Sequence, residues 1–269
     1  MPPVLAKPVF AMDGFIEKTL KLWHHFKLAE LNETMRQQGD NVFIDLLNNA
    51  RTASLSKGDE QLLKSRFIPT NSGDYPRNAW HIFAENSLAN EHNSIMLASV
   101  PNTLVTILAL DNYPTGTTEK NYCFCARKKK YSETGGLLYK LDLKVGCRVI
   151  MTTNVDIDDR LINGQIGTVK KFNIMNGKVE TISVQFDDVK AGLKQRTNNN
   201  LNTNWVSIER DDSKFSITKR KSSGTVTRVQ FPLVLAYACT VHKVQGLNLH
   251  EVVVSFQLER QRSFNAGQI

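Results

Sequence analysis

The segment FPLVLAYACTVHKVQGLNLHEVVVSF, residues 231–256, sets two near-continuous apolar runs on either side of a polar cluster, Thr240-Val241-His242-Lys243-Val244-Gln245-Gly246. Apolar runs without alternation belong to strands buried on both faces, the pattern of a parallel sheet. The segment therefore predicts strand, loop, short helix, strand. In open parallel sheets ligands sit at the carboxyl ends of strands, and the cluster lies at such an end. Backbone amides opened by Gly246, with Thr240, His242, Lys243 and Gln245 as donors, suit the phosphate oxygens of a nucleotide or a nucleic-acid backbone. From spacing alone the same residues also read as a satisfied polar turn capping a strand.

Upstream, the character of the chain changes with position. FIEKTLKLWHHF, residues 15–26, brings Phe15, Ile16, Leu20, Trp23 and Phe26 near one helical face, and NVFIDLLNNAR repeats the helical period with Asp40 as its N-cap. WHIFAEN, around Ile82, reads as a short strand. After Pro101 the period shifts toward two: LVTILAL, GCRVIMTT, GTVKKF, ETISVQF and TVTRVQF are short β-type runs separated by Gly, Asn and Asp, as in a small antiparallel barrel or sandwich. KAGLKQRTNNNLNTN is too poor in apolar residues for a core and reads as a loop. Asn163-Gly164 reads as a tight turn.

The 269 residues are enough to bury a substantial core, as one large domain or two ordinary ones. A formal charge of +8 suits a polyanionic partner and is equally compatible with simple solubility. No stretch approaches a membrane span, and the N-terminus lacks the layout of a secretory signal, which gives the expectation of a soluble, intracellular protein with no membrane partner. Of the four cysteines, Cys123 and Cys125 stand one residue apart in a strand-like stretch and so point to opposite faces. Free buried thiols in a reducing compartment are expected, and no metal site. ARKKKY, residues 126–131, is a solvated loop, a nuclear import signal or a DNA phosphate contact.

FPLVLAYACTVHKVQGLNLHEVVV resembles the fifth motif of PIF-type superfamily one DNA helicases, the group that includes the helicases of Helitron transposons. Further likenesses follow in order: MPPV at residues 1–4 resembles the tail of the third motif, LAELNETMRQ (28–37) the fourth, HIFAENSLANEHN the strand and Asn-rich turn after it. LDLKVGCRVIMTTNVDIDDRLINGQIGTV (141–169) resembles the start of the family's inserted barrel, and FNAGQI the lead-in to the sixth motif. Val244 and Asn248 depart from the Ser and Thr that many relatives carry there.

The resemblance implies an α/β fold: a second RecA-like helicase domain, a parallel sheet with flanking helices, interrupted by a small inserted β-barrel. It divides the chain into a remnant of the first RecA-like domain at 1–10, the second domain's first part at 11–120, the barrel at 121–229, and the second part at 230–269. The implied activity is that of an ATP-dependent 5′ to 3′ DNA helicase using ATP and Mg²⁺, with single-stranded DNA lying across two RecA-like domains. Arg36, Gln37, Gln245 and Gly246 are the implied ATP-cleft residues. Thr240, His242, Lys243, Asn86 and Asn93 are the implied DNA contacts.

Neither a Gly-x-x-x-x-Gly-Lys-Ser/Thr phosphate loop nor an apolar strand ending in an acidic pair occurs in these residues, and GDEQLL at Gly58 follows a polar loop. The residues that hold triphosphate and metal are thus expected in a missing first RecA-like domain, with no catalytic residue in this chain and no activity from it alone. The alternative is a stand-alone nucleic-acid-binding module, a motor remnant without ATPase activity. Nucleus, or else mitochondrion, is the compartment that the resemblance implies.

Overall fold

The computed structural model describes residues 26–27, 29, 39–113, 119–198, 204–217, 225–244 and 251–255, giving only the backbone of residues 119–123 and of residue 242. They fall into two compact units, one ending at Arg77 and the other beginning at Asn78. The helix expected over residues 15–26, and the motif likenesses at both ends of the chain, lie outside the described residues.

In the first unit, α1 (Asn41–Arg51) begins where the sequence places its cap: the Phe43 amide donates to Asp40 Oδ1 at 3.0 Å. Helix α2 (Lys57–Ser65) is started by a reciprocal capping box, in which the Asp59 amide donates to Ser56 Oγ and the Ser56 amide donates to Asp59 Oδ2. Asn49 also donates to Asp59 Oδ2, at 2.9 Å, and so ties α1 to α2. The Ser56 amide, followed by Asn49, holds the Asp59 carboxyl below its ordinary value.

The second unit opens with β1 (Trp80–Phe83), whose four residues are all buried, and α3 (Asn86–Ser99). The likeness to an Asn-rich turn at 86–93 is corrected here, because that stretch is the first half of a 14-residue helix. Neither Gly nor Pro interrupts it. It stops at Val100 because the residue before Pro101 is driven to extended backbone, φ −69° and ψ 125°.

Next come β2 (Val105–Leu108), β3 (Leu110–Asn112), α4 (Glu119–Lys128), β4 (Lys140–Leu143), β5 (Arg148–Met151), β6 (Ile166–Met175) and β7 (Lys178–Phe186). They are followed by α5 (Leu193–Asn198), β8 (Val206–Ile208), β9 (Asp211–Ser216), β10 (Thr225–Gln230), β11 (Leu233–Leu235), β12 (Ala238–Thr240), α6 (Val241–Val244) and β13 (Val252–Val254). The β6–β7 hairpin turns through Asn176 and Gly177, both at positive φ (51° and 74°), the geometry whose twist matches the flanking strands. Asn163-Gly164 is a turn as expected, with Gly164 at φ 98° and the Gln165 amide returning to the Ile162 carbonyl.

Among the described residues the strands form four sheets. A five-stranded antiparallel sheet runs β11-β5-β6-β7-β8, a three-stranded one β3-β10-β9, and β2 pairs with β4. The fourth, β12-β1-β13, is parallel. Antiparallel pairing thus begins at Val105 and ends at Leu235. The main core lies under the five-stranded sheet, where Leu143, Cys147, Val149, Val169, Val184 and Phe231 are fully buried.

Three local expectations need correction. The run from Phe231 to Cys239 is not one strand: residues 233–235 pair antiparallel with β5, and residues 238–240 turn to pair parallel with β1. Strand β13 is not buried on both faces, since Val252 and Val254 are 41% and 48% exposed at the sheet's edge. The stretch at Cys123 and Cys125 is helix α4 rather than strand, and Cys125 is exposed while Cys147 and Cys239 are buried.

Part of the supposed loop after Lys190 is also ordered, as α5. Its amides at Lys194 and Gln195 donate to the Asp159 carboxylate at 2.7 and 3.0 Å. Gln195 exchanges two hydrogen bonds with the Ser207 backbone, as a neighbouring strand would, and buried Arg196 donates to the Val189 carbonyl and Asn204. Polar side chains satisfied in this way hold a segment that has little apolar surface to bury.

Candidate nucleic-acid interface

The parallel sheet positions the site. In register, His81, Ile82 and Phe83 pair with Ala238, Cys239 and Thr240, so β1 and β12 reach their carboxyl ends together and α6 starts at the next residue, Val241. The sequence predicts a loop between strand and helix, and the structure corrects this: the helix follows the strand directly.

What fixes β12 is Asn93, the residue whose role the sequence reading missed. Its Nδ2 donates to the Ala238 carbonyl at 2.9 Å, while its Oδ1 accepts from the Tyr237 and Ala238 amides at 3.0 and 2.9 Å. Strand β12 is at an edge of its sheet, and the buried Asn93 amide fills the place of the missing neighbour. Asn93, expected as a DNA contact, spends its carbonyl oxygen and one amide hydrogen on protein backbone. Ala89, Asn93 and Leu97 recur every fourth residue and are all buried on one face of α3, a helical spacing visible in the sequence.

The other expected DNA contacts are placed unevenly. Thr240 ends β12 and is buried, while Asn86 is exposed at the first position of α3. Lys243, on α6, sets its ammonium over the Tyr131 ring at 4.4 Å from the centroid. His242 is described in its backbone alone. The expected ATP-cleft residues Arg36, Gln37, Gln245 and Gly246 lie outside the described residues.

Around this unit the polar groups are held neutral or paired. Burial pushes the Cys239 thiol up to about 11, against the opposing pull of Lys243, so it is no nucleophile at neutral pH. His81 and His92 stack with ring centroids 4.0 Å apart. Burial, with His81 adding to it, lowers His92 to about 4, and burial lowers His81 as well. Among the described residues no three His, Cys, Asp or Glu side chains converge, and Asp59 is used in its capping box.

Lys243 brings together two features that are far apart in the sequence. Tyr131 is the last residue of the ARKKKY run, so the end of that run meets the helix after β12.

No family model matches the chain. It is 26% identical over 245 residues to the ATP-dependent DNA helicase Pif1 of Bdellovibrio bacteriovorus, covering 91% of this chain and 45% of that protein. It is 24% identical to the Candida albicans helicase PIF1, covering 100% of this chain and 36% of the relative. The chain resembles PIF1-type helicases. It spans less than half the length of these curated relatives. Among solved structures, Candida albicans Pif1 superposes with a TM-score of 0.59 at 24% identity, over 82% of this chain and 49% of that one. Bacteroides Pif1 in complex with ADP-AlF3 and ssDNA gives 0.55 at 24% identity, over 85% and 46%. At these identities the likeness gives the fold, which is that of the RecA-like Pif1 structures: mixed α/β with a parallel sheet.

Proposed function

We propose that this chain is the C-terminal motor half of an ATP-dependent 5′ to 3′ DNA helicase, binding single-stranded DNA and contributing one face of an ATP cleft. The observation that carries the reading is the parallel β1/β12 pair, whose shared carboxyl end runs directly into α6. The Pif1 relatives are ATP-dependent DNA helicases by name, and Bacteroides Pif1 was solved both bound to ssDNA and in complex with ADP-AlF3 and ssDNA. In this reading the inserted barrel of residues 121–229 draws on the antiparallel strands within that span, and the parallel sheet belongs to the second RecA-like domain.

In this reading α6 presents its first turn and Lys243 to the DNA backbone. Positive charge and backbone amides there neutralise phosphate without reading sequence. Arg36 and Gln37, with Gln245 and Gly246, line the nucleotide side. ATP and Mg²⁺ would supply the hydrolytic chemistry, but the sequence carries no phosphate loop, so this chain alone does not turn over ATP. The nucleus is the proposed compartment.

The test is fluorescence anisotropy of the purified chain with a labelled dT oligonucleotide at two salt concentrations, beside an ATPase assay. Salt-sensitive binding weakened in a Thr240→Ala/His242→Ala variant, with no ATP turnover, is the expected outcome. ATP turnover by the chain unaided, or absence of DNA binding at low salt, overturns the proposal.

A further inference from the structure

Four adjacent cations on a surface are ordinarily a solvated run, neutralised by nearby carboxylates or set against a helix C-terminus. Residues 127–130 follow that pattern only in part. Lys129 is paired with Glu133 at 2.8 Å. Arg127 and Lys128 close the last turn of α4, yet their side chains lie over rings, Arg127 over Tyr139 at 5.1 Å and Lys128 over Phe124 at 4.0 Å, and Lys130 is exposed. The Phe124 ring is itself 60% exposed, an apolar group left in the open beside positive charge.

The platform is anchored from beneath. Ala126, on the inner side of α4, is fully buried, and its carbonyl accepts from Arg228 Nη2 at 2.9 Å. Arg228 is fully buried as well and grips Asp111 through two bonds of 2.7 and 2.8 Å. From the other side Lys243 reaches Tyr131, which makes the surface continuous with the turn after β12.

We infer that Phe124, Arg127, Lys128, Lys130, Tyr131 and Lys243 form a binding step for single-stranded nucleic acid. The cations that form no salt bridge take successive phosphates, and the Phe124 and Tyr131 rings take bases by stacking. Cations interleaved with aromatic rings are what a sequence-tolerant single-strand site requires, because every base has a π-face and every linkage a charge. The inference rests on the DNA-binding reading above and extends it to residues outside the fifth-motif likeness.

The experiment is anisotropy of the whole chain with labelled dT oligonucleotide across a salt series, each variant's fold checked by circular dichroism. Lys128→Ala/Lys130→Ala is expected to reduce the slope of log K against log salt by about 1.4, since each single-strand phosphate contact contributes about 0.7. Phe124→Leu is expected to weaken binding on the order of tenfold with the slope unchanged. Lys178→Ala/Lys190→Ala removes the same charge from two other exposed positions and should leave the slope alone.

An equal loss in both lysine pairs reduces the effect to overall charge and overturns the inference. So does displacement of the oligonucleotide by polyglutamate as readily as by unlabelled dT, which would mark an acidic-protein surface instead. Binding that is weakened by the Thr240→Ala/His242→Ala variant but untouched by the lysine and Phe124 variants removes this inference and leaves the functional reading standing. Absence of DNA binding by the unaltered chain removes both.

Discussion

Replacing Asn93 with Ala tests whether one side chain holds the strand that leads into the site. The substitution deletes three hydrogen bonds of 2.9 to 3.0 Å and leaves two amides and one carbonyl of residues 237 and 238 without their partner, at a buried position. Each net bond is worth about 1 kcal/mol, and a buried group left unmade costs about 1–3 kcal/mol, so three groups give roughly 3–9 kcal/mol. Water entering the space left by the amide moves the value toward the lower end. Asn90→Ala, on the exposed side of the same helix, should change stability by less than about 0.5 kcal/mol. Urea unfolding gives the global cost, and amide hydrogen exchange at Tyr237 and Ala238 gives the local one, which matters because two compact units need not unfold together. A loss below about 1 kcal/mol with unchanged exchange at these two amides would show that β12 is held by its pairing with β1 alone.

Asp111→Ala leaves the Arg228 guanidinium buried without its carboxylate, and should cost about 3–5 kcal/mol in urea unfolding, whereas Arg228→Met with Asp111→Leu should recover more than half of that. Stability should also fall in acid through His92. Its folded value of about 4 lies below the ordinary 6.5, so the unfolded chain binds the proton first. The contribution is complete above pH 6.5, is lost as pH falls toward 4 and levels off below, which amounts to roughly 1–2 kcal/mol between pH 7.5 and 5 for this partly buried ring. His92→Phe, which keeps a ring against His81 and Phe83, should flatten that part of the urea-midpoint profile, and an unchanged profile would put the acid sensitivity elsewhere.

Much of this architecture is legible as pattern. The Asp40 cap, the WHIF strand and the alternating strands from Val105 onward follow from local spacing, and the structure realises them with small changes of boundary. Illegible were the places where a polar side chain does the work of backbone. Asn93 looks like a turn former until Ala89 and Leu97 are counted with it. Gln195 and Arg196 look like loop residues because their partners, Ser207, Val189 and Asn204, are chosen by the fold. Cys-Phe-Cys misled for a different reason. A short apolar run fits helix and strand equally, and here α4 is anchored through Arg228, a residue distant in sequence.

The break inside FPLVLAYACT shows why the decisive segment was only half readable. Between Phe231 and Cys239 the one Pro lies at the start, at position 232, and no Gly occurs, so nothing local marks a change of sheet. The change is imposed by competing partners. The Ala236 amide still bonds to Arg148 on β5, while the Tyr237 carbonyl already accepts from His81 on β1. Trp80 donates its indole N–H to the Ala236 carbonyl, and the Tyr237 hydroxyl accepts from the Arg148 amide, so both sides of the break are bonded across it. Two residues thus join the antiparallel sheet to the parallel one, and Thr240 follows three residues later. A displacement of β5 therefore has a short, hydrogen-bonded route to the turn after β12, and the Asn93 amide sits on that route at residues 237 and 238. On the proposed DNA-binding function, Asn93→Ala should weaken DNA binding even at temperatures where the chain stays folded, whereas the Arg228→Met/Asp111→Leu pair, which does not touch β12, should spare the turn's share of the affinity.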